Sequence, residues 1–166
     1  VVSHISPCYP VRLHGGGVRG GRNWGAIPPG NGAKWAIGSM FLSSFESSVD
    51  AKKRVSIPAA FRKALGRADC VFLWPSLDKP CIEGAGQSLM NEFEDSMGDL
   101  DLMDKRRFAL ATYIMGEARQ SKFDEGGRIV LDAELLSNAG ISDKARFVGL
   151  GDRFQIWEPA AFEAMK

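Results

Sequence analysis

Two stretches of the chain share one pattern: a short polar turn running into a strand of alternating apolar and polar residues. The first is Asp50-Ala-Lys-Lys-Arg54-Val-Ser-Ile-Pro58, with Val55 and Ile57 two apart. The second is Asp124-Glu-Gly-Gly-Arg128-Ile-Val-Leu-Asp132, with Ile129 and Leu131 two apart. A period of two puts one set of side chains on one face of a strand. The offset is 74 residues from Asp50 to Asp124 and again from Arg54 to Arg128. Repetition in register is what makes an otherwise uninformative D-x-x-x-R spacing meaningful.

The elements after each strand repeat as well. Residues 59–65 take helical spacing, with Phe61 and Leu65 on one face. Residues 133–139 do the same with Leu135 and Ala139, and Gly140 is placed to stop the helix. A hairpin comes next in each copy: residues 70–74 and 80–83 flank a turn at 75–79, and residues 145–150 and 153–157 flank Gly151-Asp152. Ile82 and Ile156 keep the same offset. Each copy ends in helix. Leu89, Phe93 and Met97 recur at i, i+4 and i+8, and a longer helix predicted over 101–117 carries Met103, Leu110 and Ile114 on its apolar side. In the second copy Pro159 opens a helix over 160–165. Each half reads strand–turn–strand–helix–hairpin–helix.

Neither half has enough apolar residues to bury a core alone. The expected fold is α+β, mainly β: a small closed β-barrel from two tandem pseudo-symmetric halves, flanked by helices. Closure removes exposed edges. The first half with its connecting helix is assigned to 40–118 and the second to 119–166, with the body starting at Met40. Residues 1–39 are rich in Gly and Pro and read as a flexible, non-native extension. The alternatives are a basic arm lying near DNA and an ordered extension.

Charge changes the picture. The net charge is +1, but residues 1–39 hold Arg12, Arg19, Arg22 and Lys34 and no acid. Of 21 basic residues 17 remain in the body, against 20 acids. A surface for nucleic acid must then be a local patch. The first turn supplies one in Lys52, Lys53 and Arg54, followed by Arg62, Lys63 and Arg67; the second turn is Glu-Gly-Gly. Lys and Arg that neutralise phosphates release counterions, and Arg can read a guanine edge with two parallel hydrogen bonds. The first half is therefore the expected DNA-facing half, although three adjacent basic residues in a turn are ordinarily only a solvated loop. Asp50 and Asp124, with Gly126 and Gly127, read as turn-forming residues. Arg128 reads equally as a partner for Asp124. Trp74 and Trp157 read as core or interface residues.

Other chemistry is thinly represented. Cys8, Cys70 and Cys81 form no C-x-x-C pair, so neither a disulfide framework nor a zinc ribbon is expected, and a reducing cytosol fits. Both histidines, His4 and His14, precede the body, which leaves no histidine base there. No apolar run approaches the roughly 20 residues of a membrane span. No enzyme activity, cofactor, metal or small-molecule substrate is expected.

Met40-Phe-Leu-Ser-Ser, the Asp50–Pro58 segment and Asp124-Glu-Gly-Gly-Arg128 together resemble the MraZ family, grouped with the AbrB/MazE-like swapped-hairpin, double-split barrel proteins. The resemblance covers essentially all of 40–166. It implies a cytoplasmic, nucleoid-associated protein that forms a ring-shaped homo-oligomer. It implies binding of double-stranded DNA at direct repeats upstream of the division and cell wall gene cluster, which includes its own gene, with repression as the result. It further implies that Lys52, Lys53, Arg54 and Arg128 contact the DNA. Two positions depart from the family pattern. Lys53 stands where glycine is usual, at a steric cost if φ is positive there. Asp132 stands where proline is usual and is predicted to cap the following helix. The alternatives are an antitoxin-like regulator on the same barrel, a ring scaffold without DNA, and an enzyme using Asp50, Asp124 and arginines on phosphate esters.

Overall fold

The computed structural model describes residues 40–166. The extension assigned to 1–39, with Cys8 and both histidines, lies outside the described residues. The elements run β1 (Ser44–Ser48), β2 (Arg54–Ser56), α1 (Ala59–Leu65), β3 (Cys70–Pro75), β4 (Cys81–Ala85), α2 (Gln87–Gly98) and α3 (Lys105–Leu110), which continues into a π-helical turn (Ala111–Met115). The second copy comprises β5 (Arg119–Lys122), β6 (Arg128–Val130), α4 (Ala133–Ala139), β7 (Lys144–Gly149), β8 (Phe154–Trp157) and α5 (Pro159–Met165). The predicted α+β, mainly β order is observed in both halves.

The halves exchange strands. β1 pairs antiparallel with β7 of the second half, and β5 pairs antiparallel with β3 of the first. β4 pairs with β8 through Ile82↔Ile156, and β2 with β6 through Val55↔Ile129. Both of these central pairs join residues one repeat offset apart, so the pseudo-two-fold axis passes between them.

The closed barrel expected from the sequence is not found among the described residues. Six strands form one open sheet, β1-β7-β8-β4-β3-β5, while β2 and β6 form a separate two-stranded ribbon. The three-residue strands β2 and β6 use their ladder on each other. Apart from an isolated backbone bridge between Val49 and Val55, the ribbon meets the outer strands through side chains: Ser47 Oγ donates to the Ser56 carbonyl at 3.0 Å and Ser121 Oγ to the Val130 carbonyl at 2.8 Å. The edges are covered without being joined.

Phe61, on the inner face of α1, plugs the space between the layers. It is fully buried, with the rings of Phe41, Phe45 and Phe154 at 5.3, 5.5 and 5.4 Å. Val55, Ile57, Ile129 and Leu131, the alternating residues of the two repeats, are all buried in this core. Burying each such side chain contributes about 1.5–3 kcal/mol. Trp74 and Trp157 are buried as expected, and the Trp157 indole N–H donates to Gln155 Oε1 at 3.0 Å. Cys70 and Cys81 are also buried, and burial raises the Cys81 thiol to about 12, which keeps it protonated and unreactive.

The helix ends follow local chemistry. Asp132 caps α4 by accepting the Glu134 amide at 2.9 Å, and Gly140 ends it at φ 64°. The long helix expected over 101–117 is shorter than predicted. Asp104 takes an extended conformation and accepts the Arg106 amide at 2.8 Å, so α3 starts only at Lys105. Met103 is left before the helix and is 90% exposed. Leu110 and Ile114 are only half-buried, and Ile114 lies in the π-helical turn.

A Cβ on Gly84 would lie 2.5 Å from the Phe154 ring and 2.9 Å from Leu73. Gly84→Ala therefore overpacks the β3–β4–β8 layer and is expected to lower stability by about 1–3 kcal/mol in urea unfolding. An unchanged midpoint would contradict this packing.

Candidate nucleic-acid interface

Each repeat's turn is closed by one carboxylate. Asp50 Oδ1 accepts the amides of Lys52 and Arg54, both at 2.9 Å. Its Oδ2 accepts Arg54 Nε at 2.8 Å and pairs with Nη2 at 2.7 Å. The second turn repeats this: Asp124 Oδ1 accepts the amides of Gly126 and Arg128 at 2.9 Å, and Oδ2 accepts Arg128 Nε at 2.8 Å. The expected turn-forming role of both aspartates is observed. The Arg54 amide is the main reason the Asp50 carboxyl stays below its ordinary pKa, and the Arg128 amide does the same for Asp124. Desolvation opposes both shifts without reversing them.

The residue before each arginine takes a left-handed conformation, Lys53 at φ 59° and Gly127 at φ 71°. Lys53 thus keeps the backbone shape that glycine serves in the other copy, at a cost of roughly 1–2 kcal/mol. Gly127 has a second constraint. A Cβ there would lie 2.1 Å from Arg62 Nη1. Arg62, grouped with the first turn on sequence grounds, therefore lies across the second. Adjacency along the chain gave no sign of this, because it arises where α1 packs against the other half.

The β2–β6 ribbon joins the two turns. Arg54 stands opposite Val130 and Ser56 opposite Arg128. Val55 and Ile129 point into the core, so Arg54, Ser56, Arg128 and Val130 share the outer face. The structure thus places Arg54 and Arg128 together, one from each half. Their side chains are 32% and 41% exposed, while Lys52 and Lys53 are exposed at the tip of the first turn. Glu125 and Gly126 are exposed at the tip of the second, which has no lysine. Each arginine has its Nε edge fixed by an aspartate and is preoriented without being buried.

Among the described residues, no group of three His, Cys, Asp or Glu could hold a metal ion. No helix among them is long and apolar enough to cross a membrane. Asp50 and Asp124 are ionised and occupied by their turns, which leaves neither placed to donate a proton to a substrate.

Comparison with known proteins gives this duplicated chain, with its paired, carboxylate-held arginines, both a class and a family. Residues 114–166 match a family model described as "MraZ protein, putative antitoxin-like". The chain is 44% identical over 126 residues to the transcriptional regulator MraZ of Phenylobacterium zucineum (strain HLK1), covering 75% of this chain and 79% of that protein. It is 39% identical over 126 residues to the transcriptional regulator MraZ of Caulobacter vibrioides (strain NA1000 / CB15N), covering 75% and 81%. It is 41% identical over 127 residues to that of Rickettsia akari (strain Hartford), covering 75% and 85%. The protein is a transcriptional regulator. It belongs to the MraZ family.

Two outcomes test the turns. Lys53→Gly relieves the left-handed strain and is expected to raise stability by about 1 kcal/mol in thermal unfolding; an unchanged or lower midpoint would count against the strain. The lowered pKa values of Asp50 and Asp124 make their contribution fully present above the ordinary carboxylate range and lost as pH falls through the folded values. The stability gap between wild type and Asp50→Asn/Asp124→Asn should therefore shrink from about pH 5 towards pH 2. A gap independent of pH would contradict the assignment.

Proposed function

We propose that this chain is a sequence-specific repressor that binds double-stranded DNA at spaced direct repeats. Its targets lie ahead of the division and cell wall gene cluster, which includes its own gene. The working form is a ring-shaped homo-oligomer in the cytoplasm, associated with the nucleoid. The observation that carries this reading is the outer ribbon face, where Arg54 and Arg128 stand together beside the exposed Lys52 and Lys53.

The chemistry divides among these residues. Lys52 and Lys53 neutralise phosphates and set the register on the duplex. Arg54 is pinned through Nε and Nη2 on Asp50, and turns its remaining Nη1 edge to a base or phosphate. Asp50 acts through Arg54 as a positioning residue. Arg128, with Arg62 lying across its turn, gives the second half a weaker cationic surface. One such turn is a weak reader. Several turns on one ring face raise the effective concentration, so repeats at the right spacing bind far more tightly than a single site. Occupancy of the upstream repeats then blocks transcription. Concentrating cations on one face also lets a body with more acids than bases hold DNA.

In fluorescence anisotropy on the protein's own upstream DNA, Arg54→Ala is expected to weaken binding by about ten- to a hundredfold and to relax sequence preference. Lys52→Ala should weaken all sequences alike and reduce the salt slope by about one. Wild-type affinity in Arg54→Ala, with the oligomer intact, would overturn the assignment of this face.

A further inference from the structure

The two turns share a shape and differ in charge. The first sets Lys52, Lys53 and Arg54 against Asp50 alone, whereas the second sets Arg128 against both Asp124 and Glu125. By its own residues the second turn is net negative and would repel a phosphate backbone. It nevertheless ends in Arg128, which shares the outer ribbon face with Arg54.

A cation reaches this turn from the other half. The Ile57 amide donates to the Gly127 carbonyl at 3.3 Å, so α1, which starts at Ala59, begins beside the second turn. Arg62 follows within the first helical turn and is exposed. Its guanidinium covers Gly127, where a Cβ would lie 2.8 Å from Arg62 Cζ. Arg128 lies along the neighbouring glycine, where a Cβ on Gly126 would be 3.5 Å from its Nε. Two guanidinium groups, one from each half, thus rest on consecutive glycines of a single turn. They are held differently. Arg128 is fixed through Nε on Asp124 at 2.8 Å. Among the described residues Arg62 has no carboxylate partner, so its charge is uncompensated.

The matching position in the other copy shows that the fold does not require a cation here. Leu131 donates its amide to the Lys53 carbonyl at 2.8 Å, so α4 begins beside the first turn in the same way. One offset on from Arg62 stands Leu136, which is buried. An apolar residue therefore serves the packing beside the turn that has its own lysines. The cation stands beside the turn that lacks them, over a glycine that leaves room for it.

We propose that Arg62 is the phosphate-contacting residue of the second turn, and that its seat on Gly127 is what allows that turn to face DNA. This rests on the DNA-binding reading above and adds to it a cation lent by one half to the turn of the other. With no carboxylate fixing its fork, Arg62 suits a phosphodiester oxygen of the duplex. Arg54 and Arg128, each held along Nε by an aspartate, suit a directed contact. Arg62 thus adds affinity without sequence preference.

The test is fluorescence anisotropy with the full chain, on its own upstream DNA and on a scrambled duplex of the same composition. Arg62→Met keeps an unbranched stem and removes the charge. It is expected to weaken both duplexes alike, by about fivefold or more, and to reduce the salt slope by about one, with the thermal midpoint unchanged. Arg62→Lys should restore the slope. Combined with Arg128→Ala, Arg62→Met should cost less than the product of the two single losses, because both residues serve one turn; combined with Lys52→Ala, the losses should multiply. A wild type that binds neither duplex would overturn the DNA reading and this one together. Arg54→Ala weakened as expected, with Arg62→Met at wild-type affinity and slope, would overturn the role of Arg62 alone. So would a loss confined to the upstream sequence, a loss seen only with a lower thermal midpoint, or coupling to Lys52 in place of Arg128.

Discussion

The structure turns on a carboxylate that closes a five-residue turn and holds the arginine at its end. Asp50 accepts two backbone amides and the Arg54 side chain, and Asp124 does the same one repeat later. One group thereby fixes the turn shape, the start of a strand and the direction of a guanidinium. The turns then bind the halves together: Ile57 donates its amide to the Gly127 carbonyl at 3.3 Å, and Leu131 donates to that of Lys53 at 2.8 Å. Three-residue strands could not hold a ribbon in water without such ends.

Strand exchange explains why so small a chain has a core at all. The first strand of each half completes the sheet of the other, so the halves share one set of buried residues around Phe61. Arg146 extends this sharing to the C-terminus: it pairs with Glu46 of β1 and Glu163 of α5, and its guanidinium lies 5.5 Å from the centre of the Phe162 ring. The ribbon packs against this sheet through its buried Val55 and Ile129 and two serine hydroxyls, and its other face carries Arg54 and Arg128.

The two copies share one fold pattern and differ in filling and in charge. The first copy has lysines on its turn and Phe45 and Phe61, where the second has Arg119 and Leu135. The second has glycines on its turn and Phe147 in its β7, where the first has Leu73. A turn with no lysine of its own is crossed instead by Arg62 from the other half. Electrostatic character is thus set by which half each cation reaches, and the total charge of +1 says little about it.

The sequence by itself determined the features whose causes are local. The 74-residue offset, the hairpins, the short helices after each repeat, the Asp132 cap and the Gly140 stop all follow from side-chain period and capping within a few residues. The DNA-facing candidates Lys52, Lys53 and Arg54 were visible because they are contiguous, and the Asp50 and Asp124 turns because an aspartate bonds to amides two and four residues on. Even the left-handed Lys53 was foreseeable from Gly127 at the matching position. Tertiary structure decided the rest. The covered edges in place of a closed barrel and the crossing of Arg62 to the second turn involve residues far apart in sequence. Their positions follow from how two nearly identical halves pack against each other, and no local pattern encodes that.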